Sequence, residues 1–88
     1  MKHHSHPNII KRLKRAEGHV KSIIRMLEEE RACADIAQQL HAVEAAIGNA
    51  KRELIHDHIE HCLDESHAHC TTEMRSQMKE LKTLSKYL

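Results

Sequence analysis

Residues 33–62 read CADIAQQLHAVEAAIGNAKRELIHDHIEHC. Within this stretch Ile36, Leu40, Val43, Ile47, Ala50 and Leu54 step by 4, 3, 4, 3 and 4 residues. That spacing is a helical seam with a repeat of about 3.5 residues, the pattern by which helices pair. No Pro interrupts it. Its one Gly, Gly48, costs a helix roughly 1 kcal/mol relative to Ala, and it falls among Ala45, Ala46 and Ala50, where close approach of another helix gives a reason for it. Past Leu54 the seam stops being apolar and delivers His58 and Cys62. Four residues apart, they project from one helix face about one turn apart. We expect helix over 33–66.

Upstream the stepping repeats in Ile9, Leu13, Ala16, Val20, Ile23 and Leu27. Pro7 suits a first helical turn, where its missing N–H costs nothing, so a helix is expected over 7–30. Glu28, Glu29 and Glu30 oppose the C-terminal dipole, which predicts fraying there. Downstream, Thr71 or Thr72 can cap a third helix, expected over 72–87, with a seam of Met74, Met78, Leu81, Leu84 or Ser85, and Leu88. Residues 1–6 form a His-rich arm, and Ser66–Cys70 a polar, His-rich connector. The reading is an all-α, three-helix protomer in a single domain over 1–88.

With one Tyr, no Phe and no Trp in 88 residues, the core must be built from Leu, Ile, Val, Ala and Met. So short a chain is marginal as a monomer, which makes oligomerisation the expected source of further burial. No apolar run approaches the roughly 20 residues of a membrane span, and the apolar part of a secretion signal is missing. The expected address is the cytoplasm, with no membrane partner. The net charge of +1 hides an asymmetry: Lys11, Arg12, Lys14, Arg15, Lys21 and Arg25 face one acid, Glu17, over residues 8–25. A basic front on a near-neutral chain points to a polyanion such as DNA, although a solvated helix face looks similar. Catalysis is poorly served. Two Gly leave little with which to build a pocket or an oxyanion hole, so neither enzyme activity nor a small organic substrate is expected.

Three Cys in a chain of this kind suit metal or redox chemistry better than a disulfide framework. Ten His are the strongest compositional signal. Imidazole beside thiolate at His58 and Cys62 suits Cu(I), Zn(II), Ni(II) or Co(II). A third ligand is needed, and Cys33 is the candidate. It lies 25 residues before His58, about 37 Å along a continuous helix, so it cannot reach His58 in its own chain. Two antiparallel copies, with a two-fold axis near Ala46–Ile47, bring Cys33 of one to His58 and Cys62 of the other and create two equivalent sites. The alternative for Cys33 is a small core hydrophobe. His3, His4 and His6 are further candidates. His3 with the amino terminus and two amide nitrogens can form a square-planar site, or an arm His can fold back onto the helix. The alternative is a solvated arm. His61, His67, His69 and Cys70 form a looser group that reads as solvated, with weak or supporting ligands as the alternative; His19 and His41 read as packing or polar-face residues, and His56 has no assigned role.

Taken together, these residues resemble the CsoR/RcnR family of bacterial metal-sensing repressors. The resemblance rests on Ile10 to Val20 with its Glu17-Gly18-His19-Val20, on Cys33, on Ala37 to Val43, and on His56-Asp57-His58-Ile59-Glu60-His61-Cys62, and it covers nearly the whole chain. It implies an antiparallel dimer with a helix 1–helix 2 core, and dimers paired into a flat tetramer. It also implies operator DNA bound without a helix-turn-helix, and metal sites that bridge protomers. Metal would lower DNA affinity and derepress efflux or resistance genes. Carried over residue by residue, Cys33, His58 and Cys62 fall on the ligand positions. Arg12, Lys14 and Arg15, with Lys11 nearby, fall on the DNA-contacting positions. Lys51 and Arg52 are weaker DNA candidates, because the commonest helix 2 basic position is Asn49 here. The Ser5-His6-Pro7 start and the Ala50–His58 stretch are similar to the nickel/cobalt branch, so Ni(II) or Co(II) is the expected effector. Cu(I) is the alternative. A storage or chaperone protein without DNA binding is the reading from another class.

Overall fold

The computed structural model describes residues 5–65 and 71–88, with side chains described for 5–61 and 75–88. Three helices follow one another: α1 (His6–Glu28), α2 (Cys33–Glu65) and α3 (Thr71–Leu84), closed by a single 3-10 turn at Ser85–Tyr87. Pro7 sits in the first turn of α1, where its fixed φ is already helical. The chain leaves α1 at Glu29, and Glu30 takes a left-handed φ of 56°. The tight turn that follows sets α2 antiparallel to α1, so that His19 meets Gln39 and Asn8 meets Glu53.

Each predicted seam splits in two. On α1, Ile9, Ala16 and Ile23 are buried, while the intervening Leu13, Val20 and Leu27 are 40–56% exposed. On α2, Ile36, Val43 and Ala50 are buried, while Leu40 and Ile47 are about half exposed. The reason is geometric: a hairpin of two helices has one line of contact, and a heptad seam supplies two. The buried line holds the cluster of Ile23, Ile36 and Val43, with Met26 against it. The other line is left on one face of the hairpin.

The dimensions agree. The molecule measures 59 × 23 × 14 Å, with a radius of gyration of 17.8 Å, against about 12 Å expected for a compact domain of this length. Fourteen ångströms is little more than one helix diameter. The fold is thus a single layer of helices, whereas stable domains need two.

α3 covers the second half of α2. Ile55 and His58 are buried to 1% and 2% exposure. The inward position of α3 is Gln77, at 5% exposure, and not Met78, which is 54% exposed. The predicted α3 seam keeps Leu81 and Leu84, which are half-buried, while Gln77 takes the place of Met78, and a backbone carbonyl of α3 meets the His58 ring. The connector Ser66–Cys70 and the arm residues 1–4 lie outside the described residues.

Candidate metal centre and nucleic-acid face

Cys33 is the first residue of α2 and is exposed. His58 sits on the same helix 25 residues on, and α2 is unbroken between them. About 37 Å of helix separates the two. Among the described residues no three His, Cys, Asp or Glu side chains converge as a metal-binding group. Within one protomer Cys33 and His58 thus stand far apart along α2, and they do not meet.

His58 is buried between α2 and α3. Its Nε2 lies 3.2 Å from the backbone oxygen of Gln77. A carbonyl only accepts, so Nε2 is the nitrogen that carries the proton, and in the neutral ring Nδ1 then holds the lone pair. A hydrogen bond from one ring nitrogen to a fixed acceptor is what orients a ligating imidazole, and it orients a packed one equally. Cys62 follows one turn later on α2; its side chain lies outside those described.

The start of α1 lies against the same part of α2. Ser5 lines a concavity with Glu53, His56, Asp57 and Glu60. His6 is half-buried, and its Nε2 is shielded from solvent, as are His61 Nε2 and Asp57 Oδ2. The first helical turn of α1 is therefore placed near the His58 end and far from Cys33. His3, His4, His67, His69 and Cys70 lie outside the described residues.

The basic residues divide between faces. Lys11, Lys14 and Arg15 are exposed on α1. Arg15 lines an interhelical concavity of about 280 Å³ with Arg12, Ala16, His19, Ala46 and Asn49. His19 Nε2 and Gln39 Oε1 are hydrogen-bonded at 2.5 Å and form one wall of the hairpin. Arg12 is ion-paired with Glu53, Nη1 to Oε2, at 3.3 Å. On α2, Arg52 donates to Asn49 Oδ1, and its guanidinium lies 3.6 Å from where a Gly48 Cβ would stand. An arginine thus reaches back over a glycine to put positive charge at Asn49. Lys51 belongs elsewhere, in an apolar groove with Ile9, Leu13, Ile47, Ala50 and Leu54.

The spacing-based reading singled out neither Gln77 nor Glu53. Gln77 acts through its backbone, which leaves no sequence signal. Glu53 had one. Gln39, Ala46 and Glu53 are seven apart on α2, and Arg12, His19 and Met26 are seven apart on α1. These two flanking stripes face each other beside the core, and Glu53 is the one carboxylate among them.

Comparison with known proteins follows this geometry. A family model described as metal-sensitive transcriptional repressor matches residues 5–87. The copper-sensing transcriptional repressor CsoR of Bacillus subtilis (strain 168) is 47% identical over 55 residues, which cover 62% of this chain and 54% of that protein. CsoR of Mycobacterium ulcerans (strain Agy99) is 45% identical over 53 residues, covering 60% and 45% of the two chains. The copper-sensing repressor RicR of Mycobacterium tuberculosis is 41% identical over 56 residues, covering 64% and 58%. The chain spans about half the length of these curated relatives. Among solved structures, the nickel-responsive transcriptional regulator InrS superimposes with a TM-score of 0.79 at 26% identity, over 99% of this chain and 96% of that one. No helix among the described residues is long and apolar enough to cross a membrane. With the helical architecture, the split heptad seams and a family match over residues 5–87, the chain belongs to the CsoR/RcnR family of metal-sensitive transcriptional repressors, which are regulators and not enzymes.

Proposed function

We propose that this protein is a cytoplasmic, single-domain repressor that binds operator DNA when metal-free and releases it on binding Ni(II) or Co(II), derepressing metal efflux or resistance genes. Two copies pair antiparallel through the exposed seam, and dimers pair again into a tetramer. Each metal is held by Cys33 of one chain with His58 and Cys62 of the other, and an arm histidine, His3, His4 or His6, completes the site. Lys11, Arg12, Lys14, Arg15 and Arg52 face the DNA phosphates. Lys51 lines the apolar groove instead, which makes it the weakest of the DNA candidates.

The observation that carries this reading is His58, sealed to 2% exposure with Nε2 committed to a backbone carbonyl. A buried imidazole held by a backbone carbonyl, one turn before a Cys, supports the ligand reading over that of a solvated side chain. The donor set fits a borderline metal: a neutral nitrogen and two thiolates, with further nitrogen nearby. When bound, the metal supplies a crosslink between chains. The placement of His6 beside the His58 end of α2 supports higher coordination, and so favours Ni(II) or Co(II).

A second reading is Cu(I), because the relatives CsoR and RicR are copper-sensing, and Cys33, His58 and Cys62 alone make a trigonal set. Anaerobic titration of the reduced protein decides. A thiolate charge-transfer band that saturates near one Ni(II) per chain, with loss of a gel shift on the upstream DNA, supports the nickel/cobalt reading. No Ni(II) band, with tight Cu(I) at one per chain, makes it a copper sensor. Several metals per chain and no gel shift make it a storage protein.

A further inference from the structure

Arg12, assigned above to the DNA face, is already engaged by an anion of its own chain. Glu53 Oε2 lies 3.3 Å from its Nη1. That oxygen is shielded from solvent and accepts no hydrogen bond; its partner is the guanidinium charge. The other carboxylate oxygen accepts from Asn8 Nδ2 at 3.0 Å. Glu53 therefore holds two residues of α1, a turn apart, against α2. The Arg12 side chain is nonetheless half exposed, at 49%, whereas that of Glu53 is 27% exposed. The cation is reachable from solvent, and the carboxylate oxygen paired with it is not.

Arg12 also stands where two concavities meet. On one side are Arg15, His19 and Asn49. On the other are Arg52, Glu53, Asp57 and Glu60. The carboxylates of the groove between α1 and α2 thus gather toward the His58 end, with Arg12 at their edge and Arg52 beside them. Paired with Glu53, Arg12 presents no net charge to a phosphate, and it releases no counterion when a phosphate approaches.

We propose that Glu53 is an internal competitor for the operator phosphate: it occupies Arg12 in the free protein and sets the affinity and salt dependence of DNA binding. The proposal rests on α1 being the DNA face. A phosphate gains Arg12 only by drawing it from Glu53, which leaves the shielded Oε2 without its cation. A half-exposed ion pair is weak, so the competition is adjustable and not a block.

The test uses the full-length, metal-free protein and a fluorescein-labelled duplex from the region upstream of its gene, with anisotropy read across a salt series. Glu53→Gln keeps the shape and the acceptor for Asn8 and removes only the charge. It is expected to bind about two- to fivefold tighter, with a log–log salt slope steeper by about 0.9 for each Arg12 that newly reaches a phosphate. In an Arg12→Ala background the same change is expected to do nothing. Weaker binding by Glu53→Gln overturns the proposal, because Glu53 would then be presenting Arg12 to DNA. An equal gain with and without Arg12 also overturns it, because the effect would be long-range repulsion. Asn8→Ala breaks the other Glu53 contact and leaves the pair intact; a gain as large as that of Glu53→Gln assigns the effect to a loosened hairpin and overturns the proposal as well. Failure of the underlying reading looks different: Arg12→Ala and Lys14→Ala would each bind like the unaltered protein, and the competitor would fall with the DNA face.

Discussion

The seam halves left on the hairpin surface give a test of the proposed dimer, on which the proposed metal site depends. Leu40 and Ile47 are 51% and 48% exposed in a single chain. Fully burying such a side chain contributes about 1.5–3 kcal/mol, so roughly half of that, about 1 kcal/mol each, is still to be gained from a partner. In a symmetric dimer every residue counts twice. Leu40→Ala with Ile47→Ala should therefore weaken dimerisation by about 4 kcal/mol, close to a thousandfold in the dissociation constant. Folding of the protomer should suffer less, because the cluster of Ile23, Ile36 and Val43 is untouched. Sedimentation equilibrium over a concentration series measures the dissociation constant. The same samples titrated with Ni(II) should lose the absorbance contributed by Cys33, which in the proposed site comes from the second chain. A double variant that associates like the unaltered protein would refute the reasoning. So would loss of association with the metal spectrum intact, since the site would then not bridge chains.

Other predictions address single residues. Cys33→Ala should leave the gel shift intact and abolish its loss on metal addition; normal release would remove Cys33 from the ligand set. Arg52→Ala should make the salt slope of DNA binding shallower by about 0.9 per lost phosphate contact, while Lys51→Ala should leave the slope unchanged, because Lys51 lines the apolar groove; equal effects on the slope would refute the division of faces. Gly48→Ala should stabilise the protein by up to about 1 kcal/mol in urea denaturation. Within the chain a new Cβ meets only the movable Arg52 guanidinium, at 3.6 Å. Destabilisation would instead show that the partner's helix approaches closely at this point.

The helices were legible because Leu, Ile, Val and Ala recur at seam spacing with almost nothing to break them. Which half of each seam faces the chain's own hairpin was not legible. Leu40 and Val43 are equally apolar, and only assembly tells one from the other. His58 stood out as a ligand from its spacing to Cys62. Its burial under α3 did not, because the α3 group that meets it is a backbone carbonyl, at Gln77, which leaves no side-chain pattern to read. Lys51 and Arg52 could not be separated by adjacency in sequence. A step of 100° around the helix sends one to the apolar groove and the other to Asn49. Glu53 was passed over because most helix-surface carboxylates are solvated, and its pairing depends on Asn8 and Arg12 arriving from α1.

The same placement bears on how the two proposed sites communicate. Glu53 precedes His58 by five residues on an unbroken helix, about 7.5 Å along its axis. Asn8, held by Glu53, follows His6 by two residues. The first two turns of α1 thus lie between the proposed metal ligands and Arg12, and they are fastened to α2 by polar contacts as well as by the buried Ile9. Ile9 is buried there, but the cluster of Ile23, Ile36 and Val43 is at the other end of the hairpin. Polar contacts of this kind are each worth about 1 kcal/mol, small enough to be rearranged by a ligand that also recruits the arm. Rearrangement of the apolar cluster would instead cost several kcal/mol. An allosteric coupling of the usual 1–3 kcal/mol therefore fits within the Asn8–Glu53–Arg12 contacts, without any change in the hairpin core or in the dimer seam.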